Sequence, residues 1–300
     1  MEKRLIDLIE SKGPLTGAEI KTLTNTDNLL LWQTCKKSKE LRVKTIGIRY
    51  LRLDRQVKGF ARLSPSILRE FLTYSVVGLS KKPQSLFRRA SQIISHINNV
   101  NRLKLELTQT FVNKIQSQYE GNSLGEQACF ILAGDIVYNM AHDVPRPERS
   151  TGRLVRGSDI DLIVVLHDRT TDTFIKLLDE KIYQEKYRVL ISPSVNEEID
   201  YIVKRIERVR EQARFDTFKH MVACKILQEG KYIAGNKKLF EEVQRLLKEN
   251  GVPDKLDRLE QKAIFFRKEE EKYLIATRHD EINHKDLYFF YPAEESEEFE

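Results

Sequence analysis

Residues 156–166, RGSDIDLIVVL, lead two carboxylates straight into an aliphatic run, and no other stretch limits the fold as tightly. Ile163, Val164 and Val165 are β-branched, and the run from Leu162 to Leu166 follows a Gly-Ser turn signal, so the pattern predicts a largely buried strand. If Asp159 and Asp161 lie on it, the period of two puts both side chains on one face. At a rise of about 3.3 Å per residue their Cβ atoms stand roughly 6–7 Å apart, close enough for both carboxylates to converge on a pair of divalent cations. Like charges at that spacing repel, and a buried carboxylate is costly unless paired or bound to metal. A positive partner is therefore expected between them. The plainer alternative is a turn before a buried strand, with the acids on its solvated rim.

The rest of the chain supplies enough apolar residues to bury a large core: 300 residues, 40% hydrophobic and 32% charged, a length that suits two or three units. No apolar run approaches the ~18 residues that span a bilayer, and the start, MEKRLIDLIE, mixes charges among its apolar residues, so a cytoplasmic protein with no membrane partner is expected. Cys35, Cys129 and Cys224 are far apart and odd in number, which suggests reduced, structural thiols. Charge is unevenly spread. Residues 1–125 hold 22 Lys+Arg against 10 Asp+Glu, a net of +12 within a chain whose total is +6. A basic N-terminal portion points to nucleic acid or another polyanion, although solvated helix faces also take many lysines.

Residues 1–60 read as a compact module. EKRLIDLIESKG stops at Gly13-Pro14; TGAEIKTLT has Thr16 and Glu19 at capping-box spacing; TDNLLLWQTCKKSKE starts near Asp27 and carries Lys36, Lys37 and Lys39 in its last turns. RVKTIGIRYLRLDR then suggests a basic hairpin broken near Gly47. Three helices and a hairpin resemble a winged helix-turn-helix domain, whose third helix usually enters the major groove; such domains also dock proteins. Residues 61–125 read as a mostly helical linker region, with Ser64 and Pro65 at a helix start and a long amphipathic stretch through Ile93, Ile97, Val100 and Leu103.

From ACFILAGDIVYNM through GRLVRGSDIDLIVVL to NEEIDYIVK the order is strand, Gly turn, helix, loop, strand, and a later strand. This arrangement resembles the nucleotidyltransferase superfamily with a DNA polymerase β-like palm, over about residues 126–235. The resemblance implies an α+β fold: a winged helix-like domain, a palm with a mixed sheet over 126–205, and a helical C-terminal region over 206–300. It implies that Asp159 and Asp161 bind two Mg²⁺ ions, and that Asp200 is the third catalytic and metal-binding acid. Asp200 is a strand residue if Glu197 to Val203 is extended, but Ile199, Ile202, Val203 and Ile206 also fit a helix. Gly134, Asp135, Gly157 and Ser158 would form the nucleotide-binding turns. Asp135 stands where the family has Gly or Ser, and an acid there repels a triphosphate unless it turns away or meets a cation. Arg153 and Arg156, with Arg146 and Arg149, are candidate phosphate donors from the insert between Gly134 and Asp159.

Two functions follow as expectations. One is an enzyme that moves a nucleoside monophosphate from an NTP such as ATP to an acceptor hydroxyl on a nucleic acid, a protein or a small molecule, releasing pyrophosphate. The other is a DNA-binding transcriptional regulator whose palm senses a nucleotide without turning it over. KKLFEEVQRLLKENG and LDRLEQKAIFFRKEEEKYLIATRH read as supporting helices, and EESEEFE as a frayed acidic tail.

Overall fold

The computed structural model describes residues 1–57, 59–119, 123–148, 150–283 and 287–291. The chain is α+β, with one mixed sheet and several small antiparallel ones. Its described residues divide into two compact units, one of residues 1–96 with those from 257 onward, the other of residues 97–256.

The first unit begins with α1 (Glu2–Lys12), β1 (Leu15–Thr16), α2 (Gly17–Thr24), α3 (Asn28–Lys37) and β2 (Leu41–Thr45). The starts of these helices follow local chemistry. Thr16 Oγ1 accepts from Glu19 N–H while Glu19 accepts from Thr16 N–H, the complete capping box, and Asp27 accepts from Leu30 N–H at 2.9 Å. Next come β3 (Tyr50–Leu53), β4 (Ala61–Ser64), α4 (Ile67–Thr73), β5 (Ser75–Leu79) and α5 (Pro83–Gln116). Three expectations are corrected here. The stretch after Gly47 does not return as a hairpin on β2, because β2 pairs antiparallel with β5 while β3 pairs with β4. SVVGL is that strand β5 and not helix; Val77 packs in the core opposite Leu15 of β1 and Val76 is buried on the other face. The helix start also moves, since Ser66 and not Ser64 caps α4, accepting from Arg69 N–H.

The second unit holds α6 (Ser123–Gln127), β6 (Ala128–Ala133), β7 (Arg146–Pro147), β8 (Leu154–Val155), β9 (Ile160–Leu166), α7 (Asp172–Ile191), β10 (Ile199–Arg205), α8 (Ile206–Gln212), α9 (Phe218–Glu229), β11 (Lys231–Gly235) and α10 (Lys237–Glu249). Its sheet runs β10-β9-β6-β11, with β10 parallel to β9 and the other pairs antiparallel. Phe130, Leu132, Leu162, Val164 and Leu166 on one sheet face share a core with Phe111, Val112 and Ile115 of α5 and with Leu178 and Ile182 of α7. Period two sends Asp161, Ile163 and Val165 to the other face. Residues 135–140, expected as helix, form hydrogen-bonded turns instead: Val137 N–H donates to Gly134 O at 3.0 Å and Met140 N–H to Asp135 O at 2.9 Å. Left-handed Gly134 and Asn139 bracket too few residues for a helix to propagate.

Helix α11 (Val252–Ala276) leads back into the first unit. The C-terminal stretch is therefore not one helical region. Leu274, Leu287 and Phe290 join the core of the first unit, where Phe290 meets Trp32 edge-on at 5.9 Å, and Gln33 Nε2 donates to Leu274 O at 2.5 Å. The acidic tail and Arg149 lie outside the described residues. Among the described residues no helix is long and apolar enough to cross a membrane.

Candidate carboxylate site

Strand pairing assembles this site. Asp161, the second residue of β9, is the Cα partner of Asp200 on parallel β10 and of Ala133 at the end of antiparallel β6. Asp159 lies just before β9, and buried Ile160 and Leu162 face the α5–α7 core, so the two aspartates share the opposite face. Of the two alternatives for residues 197–203, the extended one is realised, with a helix starting at Ile206. All three aspartates are half-buried.

The turn after β6 closes on this group. Gly134 has φ +74, and a Cβ there would stand 1.9 Å from Asp161 Oδ2, so both backbone conformation and space require glycine. Gly157 is bound in the same way: φ is +66 and a Cβ would meet His142 O at 1.9 Å. Beside it, buried Ser158 donates from Oγ to Asp135 Oδ2 at 2.8 Å, receives His142 N–H on the same oxygen at 3.2 Å, and sends its own N–H to His142 O at 3.0 Å. The acid of the turn is thus engaged by a hydroxyl from the turn that precedes β9.

Cations complete the arrangement. Arg146 in β7 places Nη1 2.8 Å from Glu198 Oε2 and Nη2 3.3 Å from Asp159 Oδ2, and its Nε donates to Gly157 O at 2.7 Å. Lys186 of α7 donates to Asp200 Oδ1 at 2.8 Å. Burial pushes the Glu198 carboxyl above its ordinary range, and nearby Asp200 and Glu148 add to this against the pull of Arg146. Burial likewise raises Glu197, against the ammonium of Lys104, which is 2% exposed and also donates to Arg156 O at 2.8 Å. At Glu148 burial acts upward but loses to hydrogen bonds from Thr151 and Ser150, side chain and backbone, which hold it at about 2. That carboxylate ties the β7–β8 connection together.

Of the residues singled out from sequence, Asp159, Asp161, Asp200, Gly134, Asp135, Gly157 and Ser158 are gathered at this end of the sheet. Arg153 and Arg156 are exposed on the β7–β8 side, and the arginine that reaches the acids is Arg146. Sequence reasoning assigned no role to Glu198, Lys186 or Lys231, whose Nζ donates to Val137 O of the Gly134 turn at 2.9 Å. Glu198 was within reach of it, two residues before Asp200 on one strand face. Lys186 and Lys231 carried no local signal, since their partners lie on other elements.

The donor set is all carboxylate oxygen, which suits a hard divalent cation. Asp161 and Asp200 stand side by side, and Mg²⁺ is commonly held by one or two carboxylates together with substrate phosphates. A ready-made cage is not built: among the described residues no group of three or more His, Cys, Asp or Glu is placed to hold an ion. Asp159 and Asp200 are engaged by Arg146 and Lys186. The carboxylates offer hard oxygen donors but, among the described residues, do not form a closed structural metal site. No family model, no curated protein and no solved structure matches the chain.

Proposed function

We propose that the chain is a Mg²⁺-dependent nucleotidyltransferase that moves an NMP from an NTP to an acceptor hydroxyl, built on a polymerase β-like palm in residues 126–205, within the second unit. The observation that carries this is the register Ala133–Asp161–Asp200 across three neighbouring strands, with Gly134 closing on the central carboxylate. Asp161 and Asp200, joined by Asp159, are the residues that would hold Mg²⁺, which supplies charge neutralisation for a triphosphate and for the acceptor oxygen. The protein's own groups do the positioning. Gly134 lets backbone N–H groups approach phosphate, Ser158 holds the Asp135 carboxylate, and Lys231 places a cation at the same turn. Asp200 would orient the acceptor and take its proton as the acceptor oxygen bonds to the α-phosphorus and the bond to pyrophosphate breaks.

A winged helix-like reading of the first unit is supported by its element order. β5 lies between β1 and β2 after three helices, with residues 46–74 as an insertion in the wing.

The test is incubation with each labelled NTP, Mg²⁺ and RNA, DNA, protein or small-molecule acceptors, with pyrophosphate release as readout. Wild type is expected to release it with one pairing; Asp200→Ala is expected to bind NTP yet transfer almost nothing. A second reading, a DNA-binding regulator with an inactive, nucleotide-sensing palm, is favoured by the pairs Arg146–Asp159 and Lys186–Asp200 and by the acid at position 135. It replaces the first if wild type binds NTP, releases no pyrophosphate with any acceptor, and Asp200→Ala leaves NTP-dependent DNA binding unaltered.

A further inference from the structure

From Phe71 to Leu105 the chain has no Asp or Glu, although it holds Lys81, Lys82, Arg88, Arg89, Arg102 and Lys104. At the average density of 45 acids in 300 residues, about five are expected there. A second acid-free stretch, Leu41 to Leu53, contains β2 and β3. The first unit folds the two together. Arg42 lies opposite Gly78 and Lys44 opposite Val76 in the β2–β5 ladder, so both cations share a sheet face with Gly78. Leu86 lies on Gly78, where a Cβ would come within 3.2 Å of it, so the first turns of α5 cover that face. Ser80 fastens the β5–α5 turn to the α3–β2 turn, with its N–H on Glu40 O at 2.8 Å and its Oγ on Lys39 O at 3.0 Å. Lys44 Nζ stands 5.5 Å from the ring centre of Phe87, whose residue remains 45% exposed.

Pairing separates these cations from their neighbours. Arg62 is held by Asp54, Lys81 by Glu10 and Arg89 by Glu19. Among the described residues, Arg42, Lys44, Lys82 and Arg88 form no ion pair with a carboxylate. The exposed side of α5 beside them presents Gln84, Ser91 and Ser95, which donate and accept hydrogen bonds without charge.

We propose that this face, formed by β2, the turn at 80–82 and the first turns of α5, binds single-stranded nucleic acid. Arg42, Lys44, Lys82 and Arg88 hold the phosphate backbone and Phe87 stacks on a base through the part of its ring that Lys44 leaves open. A cationic track around an exposed ring is what a single strand can use, because its bases are free to leave the stack. The broad apolar face with which a helix enters a membrane surface is missing around Phe87, where polar residues dominate. The inference does not depend on the chemistry assigned to the carboxylates.

The full chain is titrated into fluorescein-labelled single-stranded RNA and DNA of about 12 nucleotides, a length within the usual range of such sites, and anisotropy is followed as salt is raised. Substituting Arg42→Gln, Lys44→Gln and Arg88→Gln together is expected to weaken binding at least roughly tenfold and to reduce the slope of log K against log salt by about 2, since three backbone cations are lost. Phe87→Ala is expected to weaken binding roughly tenfold with the slope unchanged, because stacking releases no counterions. All four positions are exposed or partly exposed, and circular dichroism checks that each variant folds. An unchanged affinity and slope in the triple variant overturns the proposal. So does a wild type that prefers a duplex of the same sequence or binds only phosphatidylserine vesicles, and so does loss of binding on Lys36→Gln with Lys37→Gln in α3 while the triple variant binds normally.

Discussion

Each unit contains a cluster of charges, and the two are built on opposite rules. In the first, Arg49 and Arg267 face Glu70 and Glu271: Arg49 Nε is 2.5 Å from Glu70 Oε2, Arg49 Nη2 2.8 Å and Arg267 Nε 2.7 Å from Glu271 Oε1, and Arg267 Nη1 donates to Pro65 O at 2.9 Å. Arg267 is 2% and Glu70 5% exposed. Charges match two for two, with Arg267 and Glu70 buried while Arg49 and Glu271 reach the surface. In the second, Asp135, Asp159, Asp161, Glu198 and Asp200 meet at a sheet end, where Arg146 pairs with Asp159 and Glu198, Lys186 with Asp200, and the Ser158 hydroxyl with Asp135. Its aspartates stay half-exposed. A balanced network anchored on a buried pair serves to hold a fold in register. If the second cluster takes a cation as proposed, the carboxylates it gathers at the sheet end would be stabilised when that cation arrives.

That contrast can be broken by substitution. Asp161→Asn is expected to lower nucleotidyl transfer roughly a thousandfold or more, several kcal/mol of transition-state stabilisation, while unfolding free energy changes by less than about 1 kcal/mol. A variant that melts far below wild type would show that Asp161 serves the fold, as Glu70 does. Glu70→Gln should do the reverse, costing about 3–5 kcal/mol in urea unfolding because it leaves buried Arg267 short of a counter-charge. An unfolding midpoint equal to wild type would remove the distinction between the clusters.

Lys204 tests the same sheet face deeper down. It lies four residues beyond Asp200 on β10, is buried, donates to Gln212 Oε1 at 3.1 Å, and burial pulls its ammonium down to about 8. Between that value and the ordinary 10.5 the unfolded chain binds a proton that the folded one does not, so stability rises with pH across this window. Relative to Lys204→Met, wild type is expected to gain about 3 kcal/mol from pH 8 to 10.5, measured by denaturant unfolding at each pH. Parallel curves would mean that Lys204 reaches solvent. The smallest effect is expected at Arg146. If it occupies Asp159 in competition with a divalent cation, Arg146→Gln should tighten Mn²⁺ binding by about three- to fivefold in calorimetry, the worth of a partly exposed ion pair. Equal affinity would separate Arg146 from cation entry.

How much was legible beforehand follows the range of the interaction involved. The capping box at Thr16–Glu19, the Asp27 cap and the strand at Leu162–Leu166 could all be read, because side chain, backbone and period act within a few residues. Asp200 was left between strand and helix by its own neighbours, and pairing with β9 decided it. The partner of β2 was misjudged for a related reason: Gly47 signals a turn, but a turn signal does not say which strand the chain will meet next, and β5 offers an aligned β-branched edge.

By itself, then, the sequence determined that an acidic pair must precede a buried strand and that the basic excess belongs to the first 125 residues. Only the tertiary structure decided that Asp161 faces Asp200, that Arg146 reaches both Asp159 and Glu198, and that Lys44 of β2 meets Phe87 of α5. Periodicity and turn chemistry are fixed by neighbours along the chain. Charge pairing is fixed by distance in space, and residues far apart in sequence acquire that distance only when strands choose their partners.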